Sequence, residues 1–480
     1  MKAVCFFSVL SAAFALAGRT HVKFMENDAL AAEGFTKLMF HVAKRGLPSP
    51  GTCTSEKLSI RREWATLPRE ERVAYTNAVN CLHKLPARTP VSVAPGAKSR
   101  YDDLVVTHIQ QSLSIHGTGN FLSWHRYFTW VYEQMLRDEC GFQGTFPYYN
   151  WAHYAEDPKS GPFFDGSASS MSGDGEYIPD RNSSCFPWDG VAGPCYMHLQ
   201  PGTGGGCVTS GPFKDFKINM GPLQTMLQIP GGLSPNPQPD GLGYNPRCLR
   251  RDISLQAANA TSDSEVVRLI KNYTDIASFQ AEYQGAFAEG RMGVHTGGHY
   301  TIGGDAGSDF YNSPADPAFY PHHGMIDRLW WTWQNLDLES RGRAVAGSAG
   351  AIGEITARNA TLGDKLVMGP YVGYPNVTIG EAMSTIGGPF CYVYAPFCAE
   401  YPRDPNSCES SLLAAVPEGQ PSTISLVAIM EARPTKLARD IASLFNDTSY
   451  SNATVLINSI TLSVHKSIIY TQSEYFKKAF

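Results

Sequence analysis

The chain has 480 residues, a net charge of −5, 43% hydrophobic residues and 11% aromatic residues. That length supports one large domain or two ordinary ones around a substantial core, and the lack of a basic cluster excludes a nucleic-acid binder. The 45 glycines and 32 prolines point to long irregular connections rather than a minimal helical bundle.

The N-terminus reads as a processing segment. Lys2 precedes an apolar run over 4–17 that ends in Ala15-Leu16-Ala17, a small-x-small cleavage pattern. The run is shorter than the ~20 residues of a membrane span. Residues 1–17 are therefore expected to be a signal peptide, and the mature chain a secreted, extracellular protein that does not enter the membrane. Removing Cys5 leaves Cys53, Cys81, Cys140, Cys185, Cys195, Cys207, Cys248, Cys391, Cys398 and Cys408, an even number that suggests disulfides without fixing their pairing. Asn182, Asn259, Asn272, Asn359 and Asn376 each open an Asn-x-Ser/Thr sequon, which fits a glycosylated surface.

Helical spacing follows over 32–45 and 61–82. In the second stretch Trp64, Leu67, Val73, Ala78 and Leu82 line one side, with Cys53 and Cys81 bracketing it. A first histidine-bearing region covers 101–141. From 155 to about 246 the chain turns to Gly, Pro, Ser and Asp, read as loops held by Cys185, Cys195, Cys207 and Cys248. Helical pattern returns over 257–290, and a second histidine-bearing region runs to 336. Residues 369–408 read as short strands and turns around Tyr392 and Tyr394.

The end of the chain has a different character. After a helical 437–445, residues 449–480 read SYSNATVLINSITLSVHKSIIYTQSEYFKKAF. Two short alternating strands followed by VHKSIIYTQSEYFKKAF resemble the opening third of a BTB/POZ domain, an intracellular interaction fold whose partner here is unknown. The expected organisation is a main domain over 18–415, a linker over 416–436 and a truncated BTB/POZ-like fragment over 437–480. Because a secreted chain should not end in such a module, a gene-model fusion or a decayed gene boundary is expected, and sequencing the transcript across 421–439 tests it.

The histidines carry the chemistry. His125 lies in NFLSWHRYFTWVYEQML, where Phe121, Leu122, His125, Phe128, Thr129 and Tyr132 share a helical face. Asn120 is expected to cap this helix and Cys140-Gly141 to end it. His116 precedes the breaker Gly117-Thr118-Gly119 and can point back at His125, while His108 closes an earlier helical stretch beside Leu104 and Val105. His295 and His299 are i and i+4, although Gly297 and Gly298 weaken a helix by about 1 kcal/mol each. In DPAFYPHHGMIDRLWWTWQ (316–334), His323 stands one turn before Asp327, whose carboxylate could accept from the other ring nitrogen and fix the tautomer. His322 points about 100° away from His323 around the helix and is read as support for the site rather than as a ligand. Three imidazoles in each of two aromatic regions suggest two metals. The stretch 295–299 lacks the Glu of a zinc-protease motif, no carboxylate is placed for non-haem iron, and all-imidazole ligation suits copper.

These residues resemble the two copper-binding signatures of the tyrosinase and catechol oxidase family: His116 with FLSWHRYF, then His295-x3-His299 with DPAFYPHHGMIDRLWWTWQ. GPFKDFKINMGP and NPRCLRRDIS are similar to the intervening segments of fungal-type members, and the likeness spans about 45–408. The resemblance implies a mainly α fold, a helical bundle around a dinuclear copper site with long disulfide-tied loops and a few short strands. It implies His108, His116 and His125 on one copper ion and His295, His299 and His323 on the other, with Asp327 and His322 behind them. It further implies oxidation of o-diphenols to o-quinones by O2, with monophenols or o-aminophenols as further substrates; the alternative is a haemocyanin-like O2 carrier without turnover. Tyr392-Val393-Tyr394 resembles the Tyr-x-Tyr element that closes the family's core. Three positions depart from members that crosslink a cysteine or hydroxylate monophenols: Ser114 stands where a Cys occurs, Thr296 where Asn or Asp is frequent, and Gln284 near a water-orienting Glu. The last two favour diphenol oxidation.

Overall fold

The computed structural model describes residues 25–49, 52–54, 57–186, 195, 197–354 and 356–394, together with two strands between 453 and 464. Its scaffold is helical: α1 (Glu26–Arg45), α2 (Arg69–Leu82), α3 (Arg100–Ile115), α4 (Phe121–Cys140), α5 (Leu255–Ala258), α6 (Asp263–Asn272), α7 (Ile276–Gln284), α8 (Val294–Ile302), α9 (Phe319–Leu336) and α10 (Leu338–Arg341). Helix α9 is the axis. Every residue from Phe319 to Asn335 is buried, because α1 and α4 both pack along it while α6 and α8 approach its remaining sides. A helix covered all round needs no polar face, which accounts for its three tryptophans.

Local chemistry sets the helix limits. Ser99 and Asp102 form a reciprocal capping box at the start of α3, with Asp102 N–H donating to Ser99 Oγ (3.1 Å) and Ser99 N–H to Asp102 Oδ2 (3.0 Å). Helix α4 ends on Gly141 in the left-handed region (φ 67°), as expected from Cys140-Gly141. Asn120 does not cap α4; its side chain instead accepts from the Thr118 hydroxyl at 2.6 Å. The single helix expected over 61–82 is also divided. Leu67 precedes Pro68 and is extended (ψ 136°), since the proline ring disfavours the α region for the residue before it. Helix α2 therefore starts only at Arg69, and Trp64–Thr66 forms a separate 3-10 turn.

Before that turn, Ser59–Arg61 pairs in parallel with Tyr392–Tyr394, in the register Ser59 to Tyr392 and Arg61 to Tyr394. The Cys53–Cys391 disulfide fastens the same junction, so segments 338 residues apart in sequence are joined there. Cys81–Cys140 ties α2 to the end of α4, while Cys185–Cys195 and Cys207–Cys248 cross-link the loop region as its composition indicated. Cys398 and Cys408 lie outside the described residues, as do the expected signal segment, the expected linker and most of the C-terminal stretch. Within that stretch Ala453–Ile457 pairs antiparallel with Ile460–Val464. Among the described residues no helix is long and apolar enough to cross a membrane.

Candidate metal centre

Three elements supply the first histidine group. His108 projects from the middle of α3. His116 is the residue that leaves α3, extended at φ −122°, and Gly117 then takes a positive φ (63°) that turns the chain into α4 and its His125. All three side chains are buried, and they form one of two histidine clusters among the described residues, with a nitrogen of each member within 4.8 Å of the others. His108 Nδ1 lies 2.8 Å from the Tyr311 carbonyl oxygen, His116 Nδ1 2.9 Å from that of Ser112 and His125 Nδ1 2.8 Å from that of Phe121. A carbonyl oxygen only accepts, so each Nδ1 carries the proton and each Nε2 keeps its lone pair. Nε2 of His108 and of His125 is buried without a hydrogen-bond partner. Leaving such atoms unmatched costs about 1–3 kcal/mol each, a cost that a bound cation removes.

The second group forms where α8 meets α9. Helix α8 survives its two glycines because both are needed for close packing. A Cβ on Gly298 would come within 2.2 Å of His322 Cε1, and one on Gly297 within 2.9 Å of the Ala260 side chain. His295 and His299 therefore sit on one face of α8, opposite His323 of α9. His299 Nε2 is 3.1 Å from His295 Nε2 and 3.2 Å from His323 Nε2. Three imidazole nitrogens converging on one point fit a metal ion better than one another. His295 Nδ1 donates to Gln284 Oε1 at 2.8 Å, which aims its Nε2 at the same point.

The two groups face each other. The His125 and His323 rings stack at 4.6 Å and 13°, and His116 lies 6.1 Å from His295. Phe121, Phe310 and Phe319 wall the space, at 4.9 Å from His295, 4.7 Å from His116 and 4.1 Å from His323 respectively. Burial depresses the pKa of all six imidazoles, that of His116 to about 4 and that of His299 to about 3. They are thus neutral and competent as ligands at ordinary pH. His299, His295 and His116 retain slight exposure (8%, 5% and 4%) while His108 and His323 retain 0% and 1%, so the space opens toward α8.

Residues 98–336 match the family model for the common central domain of tyrosinase. Tyrosinase P of Aspergillus terreus is 38% identical over 368 residues, covering 75% of this chain and 99% of its own. The chain belongs to the tyrosinase family. Tyrosinase-like protein orsC of Emericella nidulans is 41% identical over 309 residues (64% of this chain, 82% of its own), and N-acetyl-6-hydroxytryptophan oxidase ivoB of the same organism is 36% identical over 356 residues (71% and 93%). A solved polyphenol oxidase variant from Thermothelomyces thermophila superposes with a TM-score of 0.69 at 39% identity, covering 78% of this chain and 99% of its own. This protein is accordingly a copper-dependent oxidoreductase of the phenol-oxidising type, with the mainly α, disulfide-tied fold of its family.

The structure corrects the role expected of Asp327. Its carboxylate does not reach His323, whose Nδ1 has no hydrogen-bond partner. Asp327 Oδ1 instead accepts from Arg126 Nε at 2.5 Å, and Oδ2 accepts from Arg61 (3.3 Å) and from the Tyr392 and Tyr394 hydroxyls (2.6 Å each). Burial pushes its pKa up, but Arg126 and Arg61 outweigh this and hold it below the usual carboxylate value. Arg61 also pairs with Glu133 at 2.9 Å and lies 3.5 Å over the Tyr392 ring. Asp327 thus anchors α9 to the closing strand pair. His322 is buried beside His299 (4.5 Å between rings) and accepts from Trp151 Nε1 at 3.0 Å. Arg61 and Trp151 escaped the sequence reading; nothing in their local spacing points to a site more than a hundred residues away.

Proposed function

We propose that His108, His116 and His125 hold one copper ion and His295, His299 and His323 a second, and that the protein oxidises o-diphenols to o-quinones with O2. The observation that carries the reading is the pair of facing, buried, all-imidazole clusters, one with the Nε2 atoms of His108 and His125 unmatched by the chain and the other with three Nε2 atoms turned on one another. The copper pair would accept electrons from the phenol and deliver them to O2, so that two catechols and one O2 give two quinones and two waters. The chain's own part is to orient, exclude and select. The Nδ1 contacts of His108, His116 and His125 to backbone carbonyls and of His295 to Gln284 preset those four imidazoles, which reduces the cost of assembling the site. The phenylalanine walls keep bulk water from the reacting atoms.

Preference for diphenols follows from the side chains beside His295. A monophenol must lose its proton before it can be hydroxylated, which calls for a base near the ligands. Gln284 occupies that place with an amide, which cannot take a proton, and its Oε1 is already engaged with His295. The Thr296 hydroxyl donates to the Gln284 carbonyl oxygen at 2.8 Å. Asp327, the carboxylate on the ligand-bearing helix, is occupied by two arginines and two tyrosines.

Oxygen uptake by the copper-loaded chain tests this directly, comparing a monophenol, an o-diphenol and an o-aminophenol. A hydroxyindole joins the panel because one relative is named for such a substrate. Faster turnover of the o-diphenol supports the reading. Equal rates on the monophenol would refute the selectivity argument, and O2 binding without turnover would favour a carrier. We further place the protein outside the cell: residues 1–17 have the form of a signal peptide, and four disulfides suit an oxidising compartment. Secretion of a tagged full chain into culture medium is the check.

A further inference from the structure

A fourth imidazole belongs to the second cluster by distance: one nitrogen of His322 lies within 4.8 Å of the ligating nitrogens of His295, His299 and His323. Its hydrogen bonding sets it apart. His108, His116, His125 and His295 each turn Nδ1 to a carbonyl-type oxygen, so each carries its proton there and offers Nε2 as a lone pair. His322 turns Nδ1 to the indole Nε1 of Trp151 at 3.0 Å, and an indole N–H can only donate. Nδ1 of His322 is therefore the lone-pair nitrogen, and the ring proton sits on Nε2.

That arrangement excludes ligation. If His322 bound a metal through Nε2, its proton would move to Nδ1 and face the Trp151 N–H, two donors head to head at 3.0 Å. Nε2 of His322 is nonetheless buried and has no partner in the chain. The ring runs 17° from parallel with His295 at 5.9 Å and abuts His299 at 4.5 Å, with Gly298 leaving room for it. A buried N–H without an acceptor costs about 1–3 kcal/mol.

We propose that Trp151 locks His322 as the Nε2–H tautomer, and that His322 binds no metal but donates a hydrogen bond to an oxygen atom held beside the second histidine group. Trp151 is then a positioning residue that acts through His322. The inference rests on the ligand assignment proposed above, and its test separates the two.

The full chain, labelled with 15N-histidine, is examined by long-range proton–nitrogen correlation both copper-free and loaded with diamagnetic Cu(I). His322 is expected to show a protonated Nε2 in both states. In Trp151→Phe the proton should redistribute between the two ring nitrogens. A shift of the Nε2–H resonance on adding 4-nitrocatechol assigns the acceptor as substrate oxygen, and no shift assigns it as water. His322→Phe and His322→Gln should still bind two copper ions. The Phe variant should lose about tenfold or more in kcat, and the Gln variant, which keeps an N–H near Nε2, should recover part of it. Loss of the Nε2 proton on copper loading, or one copper fewer in His322→Phe, overturns the proposal. If the Phe variant does not fold, the wild-type spectrum decides. Wild type that binds fewer than two copper ions defeats the six-ligand assignment instead, while the copper-free tautomer still tests His322.

Discussion

Replacing Asp327 by Ala separates two accounts of the carboxylate, one in which it orients His323 and one in which it anchors α9. Asp327, Arg61 and Arg126 are all essentially buried, with side-chain exposures of 2%, 0% and 0%. Removing one partner of a buried ion pair costs about 3–5 kcal/mol, because the other charge is left unmatched. The remaining contacts here moderate that. Arg61 keeps Glu133 at 2.9 Å, and Arg126 keeps the carbonyls of Ala382 (3.2 Å) and Met383 (2.8 Å) and Gln334 Oε1 (3.1 Å). The expected loss is therefore about 3 kcal/mol, at the low end of that range. With an unfolding entropy of about 2 cal/mol/K per residue, a chain of this size should melt on the order of 3 °C lower. Calorimetry of the copper-loaded variant gives the shift, and atomic absorption gives the metal content. Two copper ions with a lowered melting temperature fit the anchor. An unchanged melting temperature together with loss of one copper would show that the carboxylate acts on His323 after all.

Glu63 is buried and its pKa is pushed up by that burial to about 7. A raised carboxyl contributes stability that is complete below its unfolded value near 4.5 and is lost as pH rises through about 7, so Glu63→Gln should match wild type at pH 4.5 and be more stable at pH 8, by up to about 3 kcal/mol; a melting series over that range reads it. His116 behaves in the opposite sense: burial lowers its pKa to about 4, so the copper-free protein should lose stability as pH falls from about 6.5 to 4, by up to about 3 kcal/mol from this residue alone. Gln284→Glu supplies a base beside His295 and should raise the ratio of monophenol to o-diphenol turnover about tenfold or more, measured as initial oxygen uptake on each substrate. Chelation of copper should abolish turnover and reloading restore it, with activity tracking copper content up to two ions per chain.

The histidine positions were legible because they follow local rules. His125 lies on an apolar helical stripe, His295 and His299 are one turn apart, and His116 stands at a breaker, so local rules single these residues out, while their grouping around two metals is what the family resemblance implies. What was not legible depends on contacts between segments far apart in sequence. Asp327 lies one helical turn after His323, and that spacing suggested a bond between them; its actual partners Arg61 and Tyr392 are 266 and 65 positions away. The parallel pairing of Ser59–Arg61 with Tyr392–Tyr394 has no local signature, since three-residue strands are too short to show alternation. Gly297 and Gly298 look like helix breakers until His322 and Ala260 are seen to fill the space their side chains would take. The late start of α2 was within reach of sequence reasoning, because Pro68 restricts Leu67 wherever it occurs.

These long-range contacts share a pattern. The charged residues on and just before α9 are all neutralised away from the imidazoles. Asp316 pairs with Arg251, Asp327 with Arg61 and Arg126, and Arg328 with Asp28 at 2.9 Å. Each of these side chains is at most 2% exposed, so they act in a low-dielectric interior where an uncompensated charge would be felt strongly. The face that carries His323 is consequently lined by neutral imidazoles and phenylalanine rings. Neutral nitrogen ligands leave the charge of a bound metal pair uncancelled, and that charge is what attracts an ionising phenol and favours electron withdrawal from it. A carboxylate among the ligands would offset part of the charge, and would also supply the base whose absence underlies the expected preference for diphenols. The ion pairs that hold α9 in place and the proposed selectivity of the centre thus have one physical origin: acidic groups on and just before α9 are kept bonded to arginine, out of reach of the substrate.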